Sequence, residues 1–211
     1  PEPEIHCWVI RSKGEHPRAR SLLSPAELDR AGRFHQSRLA TQWSFFHSSL
    51  REILGRYLEH EPGKLAFNLA EHGKPCLVAF PELHFNLSHC GDSALVAVTR
   101  LAPVGVDLEL ERELQDMQSL AERCFSEAEL DAFNTISPER RIASFFRIWT
   151  RKEAVLKASG LGLHLPLETF DVPCGPCENW SITQVRSKAV ADGCFRLIGL
   201  DAVAGYAAAL A

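Results

Sequence analysis

Two acids spaced two residues apart on a strand, and an acid and a base spaced four apart on a helix, are the side chains best arranged for chemistry here. Val104-Gly105-Val106-Asp107-Leu108-Glu109-Leu110-Glu111 alternates strictly between apolar and non-apolar residues, the period of a half-buried strand. Asp107 and Glu109 therefore share one face, with Cα atoms roughly 6 to 7 Å apart. Neighbouring carboxylates repel unless a positive charge sits between them. Hard oxygen ligands of this kind suit Mg²⁺, which takes one or two carboxylates together with substrate phosphates. The plainer alternative is a solvated strand face that happens to be acidic.

Trp149, Glu153 and Lys157 fall at i, i+4 and i+8 of Phe145–Lys157, so one helical stripe carries an aromatic, an acid and a base, successive members about 6 Å apart. Taken alone, Glu153 and Lys157 read as a surface ion pair. However, Ile142, Phe145, Phe146, Ile148, Ala154, Val155 and Leu156 make most of that helix apolar, and a solvated helix does not look like this. Cys174-Gly175-Pro176-Cys177 is a C-x-x-C. A redox site of that kind needs its first cysteine at a helix N-terminus, whereas Glu178-Asn179-Trp180-Ser181 leads into a β-like segment. A structural zinc would need two further ligands, and the sequence has no second C-x-x-C.

These residues need elements to position them. Glu4–Ile10 reads as an opening strand. Ser24-Pro25-Ala26-Glu27 is a capping box with proline at the first helical position, so a helix starts there and carries Arg30 and Arg33 towards its end. Gln36–Leu58 has apolar residues at helical spacing over several turns. Leu65–Leu69 suggests a strand, His72-Gly73-Lys74-Pro75 a turn, and His84–His89 a strand ending in the turn Cys90-Gly91-Asp92. Ser93–Thr99 is a strongly apolar strand, joined through Pro103 to the acidic one by a loop short enough for an antiparallel hairpin. Leu114–Ala121 is amphipathic. Ser126-Glu127-Ala128-Glu129 opens a second capped helix, and Ser137-Pro138 starts the longest helix of this half, which Gly160 ends. Thr169–Val172, Ser181–Val185, Cys194–Leu200 and Val203–Leu210 read as β segments.

Strands and helices are mixed without βαβα alternation, the pattern of an α+β fold. Ser24-Pro-Ala-Glu-Leu-Asp29 and Ser126-Glu-Ala-Glu-Leu-Asp131 agree at five of six positions and begin 102 residues apart, close to half of the 211 residues. A longer helix and then an apolar strand follow each. We therefore expect two similar α/β subdomains, 1–102 and 103–211, in pseudo-two-fold arrangement with a ligand cleft between them.

Hydrophobic residues make up 45% and charged residues 24%, ordinary values for a soluble globular chain. A net charge of −4 gives no support to nucleic-acid binding, and no apolar run approaches a membrane span. Seven cysteines without framework spacing and no visible leader lead us to expect a cytoplasmic location.

Val-Gly-Val-Asp-Leu-Glu at 104–109, followed by Phe-Phe-x-x-Trp-Thr-x-Lys-Glu-x-x-x-Lys at 145–157, resembles the two signature motifs of the Sfp-type 4′-phosphopantetheinyl transferases. Gly73-Lys74-Pro75 with Phe85-Asn86-Leu87-Ser88-His89 is similar to a third, upstream motif. The likeness extends over roughly residues 24–172 in order and spacing. It implies two α/β halves with coenzyme A as substrate between them, the nucleotide on the N-terminal side and the metal and catalytic groups on the C-terminal side. The implied reaction moves the phosphopantetheine arm to a serine of an acyl or peptidyl carrier protein and leaves 3′,5′-ADP. By the same resemblance Asp107, Glu109 and Glu153 would hold Mg²⁺, with Mn²⁺ as an alternative. Glu153 would be the general base, Lys157 would stabilise phosphate charge, and Asp107 would complete the catalytic set. Arg30, Arg51, Lys74, Pro75, Ser88, His89, Lys152 and Lys157 would contact coenzyme A, Arg30 and His89 at its 3′-phosphate. Glu27 stands where the family often has a lysine, so that grip departs from the pattern. Leu114, Met117 and Leu120, flanked by Arg112 and Arg123, would face the carrier. A duplicated layout favours a monomer. A Mg²⁺-dependent nucleotide phosphohydrolase and a non-catalytic coenzyme A-binding protein are the competing readings.

Overall fold

The computed structural model describes residues 4–176, 183–186 and 194–211. Its first stretch runs β1 (Ile5–Arg11), α1 (Ala19–Leu22), α2 (Pro25–Gly32), α3 (Ser37–Leu58), β2 (Phe67–Leu69), β3 (Pro75–Leu77), β4 (His84–Cys90) and β5 (Ser93–Thr99). Next come β6 (Val106–Leu110), α4 (Met117–Cys124), α5 (Glu127–Asn134), α6 (Pro138–Ser159), β7 (Thr183–Arg186), β8 (Cys194–Leu200) and β9 (Tyr206–Leu210). All strand pairing is antiparallel, in sheets ordered β1-β5-β4, β2-β3 and β6-β9-β8-β7. This is a mixed fold of helices and small antiparallel sheets, as the sequence led us to expect.

The two capping boxes form in full. Ser24 accepts from the Glu27 amide while Glu27 accepts from the Ser24 amide, and Ser126 and Glu129 do the same. Each acid has a second task. Glu27 also accepts from Arg51 of α3, whose Nη2 lies 2.6 Å away, while Arg51 Nη1 donates to the carbonyls of Pro62 and Leu65. Glu129 lies 2.7 Å from Lys152 of α6, whose Nζ also donates to the carbonyls of Leu167 and Phe170. Thus in both stretches the acid of a cap is joined to a cation on the next 22-residue helix, and that cation anchors the short 3₁₀ turn beyond it.

This arrangement explains one departure from the sequence reading. Thr169–Val172 does not form a strand, because Lys152 takes its Phe170 carbonyl and the Val172 amide donates to Glu129. A second departure concerns β5 and β6, which do not pair as a hairpin. Both edges of β5 are already taken, by β1 and β4, and β6 pairs with β9 instead. The last strand starts at Tyr206, after a turn at Gly205 (φ 78°), rather than at Val203.

Every residue of β5 is buried. Val96 and Val98 pack with Leu50, Ile53 and Leu54 of α3, while Leu95 and Ala97 pack with Val104, Val106 and Leu108 beside Ala208 and Leu210. The second cluster is the seam between the two larger sheets. A third core, around Phe133, Phe145, Phe146 and Ile148, lies between α5, α6 and the second sheet. Among the described residues no helix is long and apolar enough to cross a membrane.

Lys152 is fully buried and Glu129 1% exposed, so removing one charge strands the other. Lys152→Met is expected to lower the free energy of unfolding by about 3–5 kcal/mol, read from urea denaturation midpoints. Pairing it with Glu129→Gln, which removes the stranded charge but keeps one oxygen for the Ser126 or Val172 amide, should recover part of that loss. A single-variant loss under about 1 kcal/mol would contradict the described burial.

Candidate active site

Gly105 decides how β6 meets α6. A Cβ on it would lie 2.1 Å from the Ala154 carbonyl oxygen and 2.3 Å from the Ala158 nitrogen, so only glycine lets the strand start against the helix backbone. That close approach brings Asp107 and Glu109 of β6 to Glu153 and Lys157 of α6. Together with Ser88 and His89 of β4, and with Trp149, they line one cleft of about 380 Å³. A larger cavity, about 680 Å³, lies between α5, α6 and residues 174–176. It contains none of these groups, so size does not identify the site.

Asp107 is 3% exposed, which rules out the solvated-face alternative. Its Oδ1 accepts from Lys157 Nζ at 2.6 Å and from Ser88 Oγ at 2.8 Å, and Lys157 Nζ also lies 3.0 Å from Ser88 Oγ. Its Oδ2 is buried and has no partner among the described residues. Burial and then repulsion from Asp107 push the Glu153 carboxyl above the usual carboxylate range, with Glu109 adding to the rise and Lys157 opposing it. Glu109 is also raised, by burial first and then by Asp107; its pairing with Arg112, at 3.9 Å, is loose. The cleft thus holds more negative charge than its one lysine balances. An orphaned buried carboxylate oxygen between two raised acids suits a hard divalent cation. Among the described residues, no three His, Cys, Asp or Glu side chains stand close enough to share a metal as oriented. In this conformation Lys157 is the cation on Asp107.

The coenzyme A candidates divide. Ser88 and His89 line the cleft. His89 stacks on Phe46 at 5.3 Å, and burial, then Lys157 and Arg30, hold it below its ordinary value. Arg30 is exposed and lies over the Trp43 ring at 5.4 Å. Lys74 donates to the carbonyls of Val104 and Ala158 at 3.0 and 3.1 Å, and burial lowers it to about 8. It sits on the seam beside Gly105, and Pro75 is exposed on β3.

Arg51 and Lys152 are corrections. Arg51 is 2% exposed, and its Nε, Nη1 and Nη2 all donate inside the fold, with the guanidinium over the Phe67 ring. Burial pushes Glu27 up, but bonds from Arg51 and Ser24 outweigh this and hold it low. That gives the acid at 27, where the resemblance led us to expect a lysine, a structural task. Lys152 gives its three donors to Glu129, Leu167 and Phe170. Burial disfavours both charges of that pair, yet each group is bonded as its ionised form requires. Neither cation reaches the cleft.

Leu114, Met117 and Leu120 are half-buried against the C-terminal core, so packing alone accounts for them. Burial raises the Cys174 thiol, the opposite of redox activation; Cys177 and residues 178–182 lie outside the described ones. Sequence reasoning missed His47, stacked on Trp43 at 3.8 Å. The i, i+4 spacing of Trp43 and His47 on α3 was the available signal.

The chain is similar to known proteins over most of its length. The family model of the 4′-phosphopantetheinyl transferase superfamily matches residues 103–211. The 4′-phosphopantetheinyl transferase HetI of Nostoc sp. is 38% identical over 181 residues, 83% of this chain and 76% of the relative. Sfp of Bacillus subtilis is 29% identical over 161 residues, 76% of this chain and 70% of the relative. Psf-1 of Bacillus pumilus is 35% identical over 147 residues, 65% of this chain and 61% of the relative. The chain belongs to the 4′-phosphopantetheinyl transferase superfamily.

His47 supplies a pH test of the α3 face. Burial lowers it from 6.5 to about 3, so between those values the unfolded chain takes up a proton that the folded chain does not. Stability contributed by neutral His47 is therefore lost as pH falls through that window. His47→Gln should lose less stability than the parent between pH 7 and pH 4.5, by on the order of 2 kcal/mol, measured by chemical denaturation at both values. Parallel profiles would show that His47 titrates normally.

Proposed function

We propose that the chain transfers the 4′-phosphopantetheine arm of coenzyme A to a serine hydroxyl of an acyl or peptidyl carrier protein, in the cleft between β4, β6 and α6, leaving 3′,5′-ADP. The single observation that carries this reading is Asp107: buried, bonded to Lys157 and Ser88 on one oxygen and orphaned on the other.

Asp107, Glu109 and Glu153 would hold Mg²⁺, or Mn²⁺. A divalent cation there supplies charge neutralisation for a diphosphate, the principal need of phosphoryl transfer. The chain's own groups do the rest. Glu153, kept basic by burial and by its acidic neighbours, takes the proton of the carrier serine as that oxygen attacks phosphorus. The bond to the departing nucleotide oxygen breaks, and the Lys157 ammonium, inside the cleft, meets the charge that develops on phosphate. Ser88, His89 and Arg30 would take the nucleotide end, with Lys74 and Pro75 at its margin. Trp149 covers the helix side of the cleft.

We read 1–102 and 103–211 as the two halves of a duplicated unit, supported by the repeated element order and the paired ion pairs. One chain then supplies both walls of the cleft, which favours a monomer; cysteines without framework spacing favour action in the cytoplasm. The net charge of −4 favours no nucleic-acid partner.

Incubation with coenzyme A, Mg²⁺ and an apo-carrier protein should add roughly 340 Da to the carrier, the mass of the transferred phosphate-bearing arm. Phosphate or AMP release without carrier would mean hydrolysis, and coenzyme A binding alone a non-catalytic role. Glu153→Gln should slow transfer by about 10²–10⁴-fold with an unchanged circular dichroism spectrum. A normal rate in that variant removes Glu153 from the chemistry.

A further inference from the structure

β6 is an edge strand. One side pairs with β9, and along the other runs β4, which belongs to a different sheet. Amides on an open strand edge need acceptors once buried. Val106 N donates to Asn86 Oδ1 at 2.8 Å, Leu108 N to Ser88 Oγ at 3.3 Å, and Leu110 N to Cys90 Sγ at 3.4 Å. Each donor lies 20 residues beyond its acceptor. Alternate side chains of one strand thus satisfy alternate amides of the next, and three side chains stand in for a backbone ladder between the sheets.

We propose that Asn86 is a positioning residue, whose carboxamide oxygen anchors the start of β6 against β4 and so holds Asp107 and Glu109 to the cleft. Asn86 is 7% exposed and is absent from the cleft lining, so it acts through β6 and not on a ligand. The neighbouring rung, Ser88, bonds Asp107 as well as Leu108, so any drift of the two strands separates Ser88 and His89 from the carboxylates. A polar acceptor is required because a slip of one residue would turn Asp107 and Glu109 to the opposite face. An apolar side chain at 86 would leave the Val106 amide buried and unpaired.

This inference rests on the transfer reading for its kinetic consequence but not for its structural one, and two measurements separate them. In the wild-type protein, amide hydrogen exchange at Val106 and Leu108 should be as slow as at the neighbouring residues paired to β9. Fast exchange there would overturn the proposal without any variant. Asn86→Leu, similar in size but without the acceptor, should speed exchange at Val106 at least about tenfold. It should also lower kcat/KM for transfer about 10- to 100-fold. Asn86→Asp, which keeps an oxygen in place, should restore slow exchange at Val106. Unchanged exchange at Val106 in Asn86→Leu, or faster exchange there with an unchanged kcat/KM, would refute the positioning role. A wild-type protein with protected Val106 but no transfer to carrier would instead refute the functional reading alone.

Discussion

A carboxylate taken out of water has to find a cation, and three long-helix cations meet that demand here. Arg51 on α3 answers Glu27, Lys152 on α6 answers Glu129, and Lys157, also on α6, answers Asp107. The first two are closed: every oxygen and donor has a partner within the fold, and each pair ties a helix cap, a long helix and the turn beyond it into one unit. Burying such pairs contributes little net stability by itself, but breaking one is costly. Their value is geometric, because they fix where α3 and α6 begin and end relative to the segments around them. The third pair is open. Asp107 keeps an unpartnered oxygen, and two further acids face the same space with raised carboxyls. That difference separates the functional charge from the structural ones.

The cleft is assembled across a seam between sheets, and ordinary strand pairing does not make that joint. Side chains of β4 close the edge of β6, glycine at 105 lets β6 touch the backbone of α6, and Lys74 donates to carbonyls on both sides of that contact. Each device involves little apolar area and few atoms, so each is sensitive to a single substitution. The apolar packing of Leu95, Ala97, Val106 and Leu108 presses the sheets together. It cannot set their register, because apolar contact is non-directional.

Much of this was legible in the residues. The alternation at 104–111, the stripe at 149, 153 and 157, and the twin capping boxes each carry a local signature; the stripe and boxes form as read, while the strand spans only Val106–Leu110, with Asp107 buried and Leu110 exposed. The offset between the boxes is what suggested two halves, and both boxes form with a cation from the next long helix. What the same residues hid was the use of each charge. Arg51 and Lys152 stand beside recognisable motifs and look available to an anion, yet both are turned inward. In a one-dimensional string, a lysine facing solvent, a phosphate or a buried glutamate is the same letter at the same helical phase. The strand expected at 169–172 failed for a related reason, since its polar groups were claimed by the Glu129–Lys152 pair.

Taken alone, the order of amino acids determined what depends on near neighbours: where helices start, which faces are apolar, and which acids share a side of a strand or helix. Those features follow from backbone periodicity and from contacts within a few residues. Only the tertiary structure decided which cation meets which carboxylate, which amides of β6 are satisfied by β4, and which acid is left half-partnered. These outcomes turn on distance and on exclusion of water between groups 20 to 69 residues apart. Coulombic and hydrogen-bond energies are set by that local surrounding and not by position along the chain.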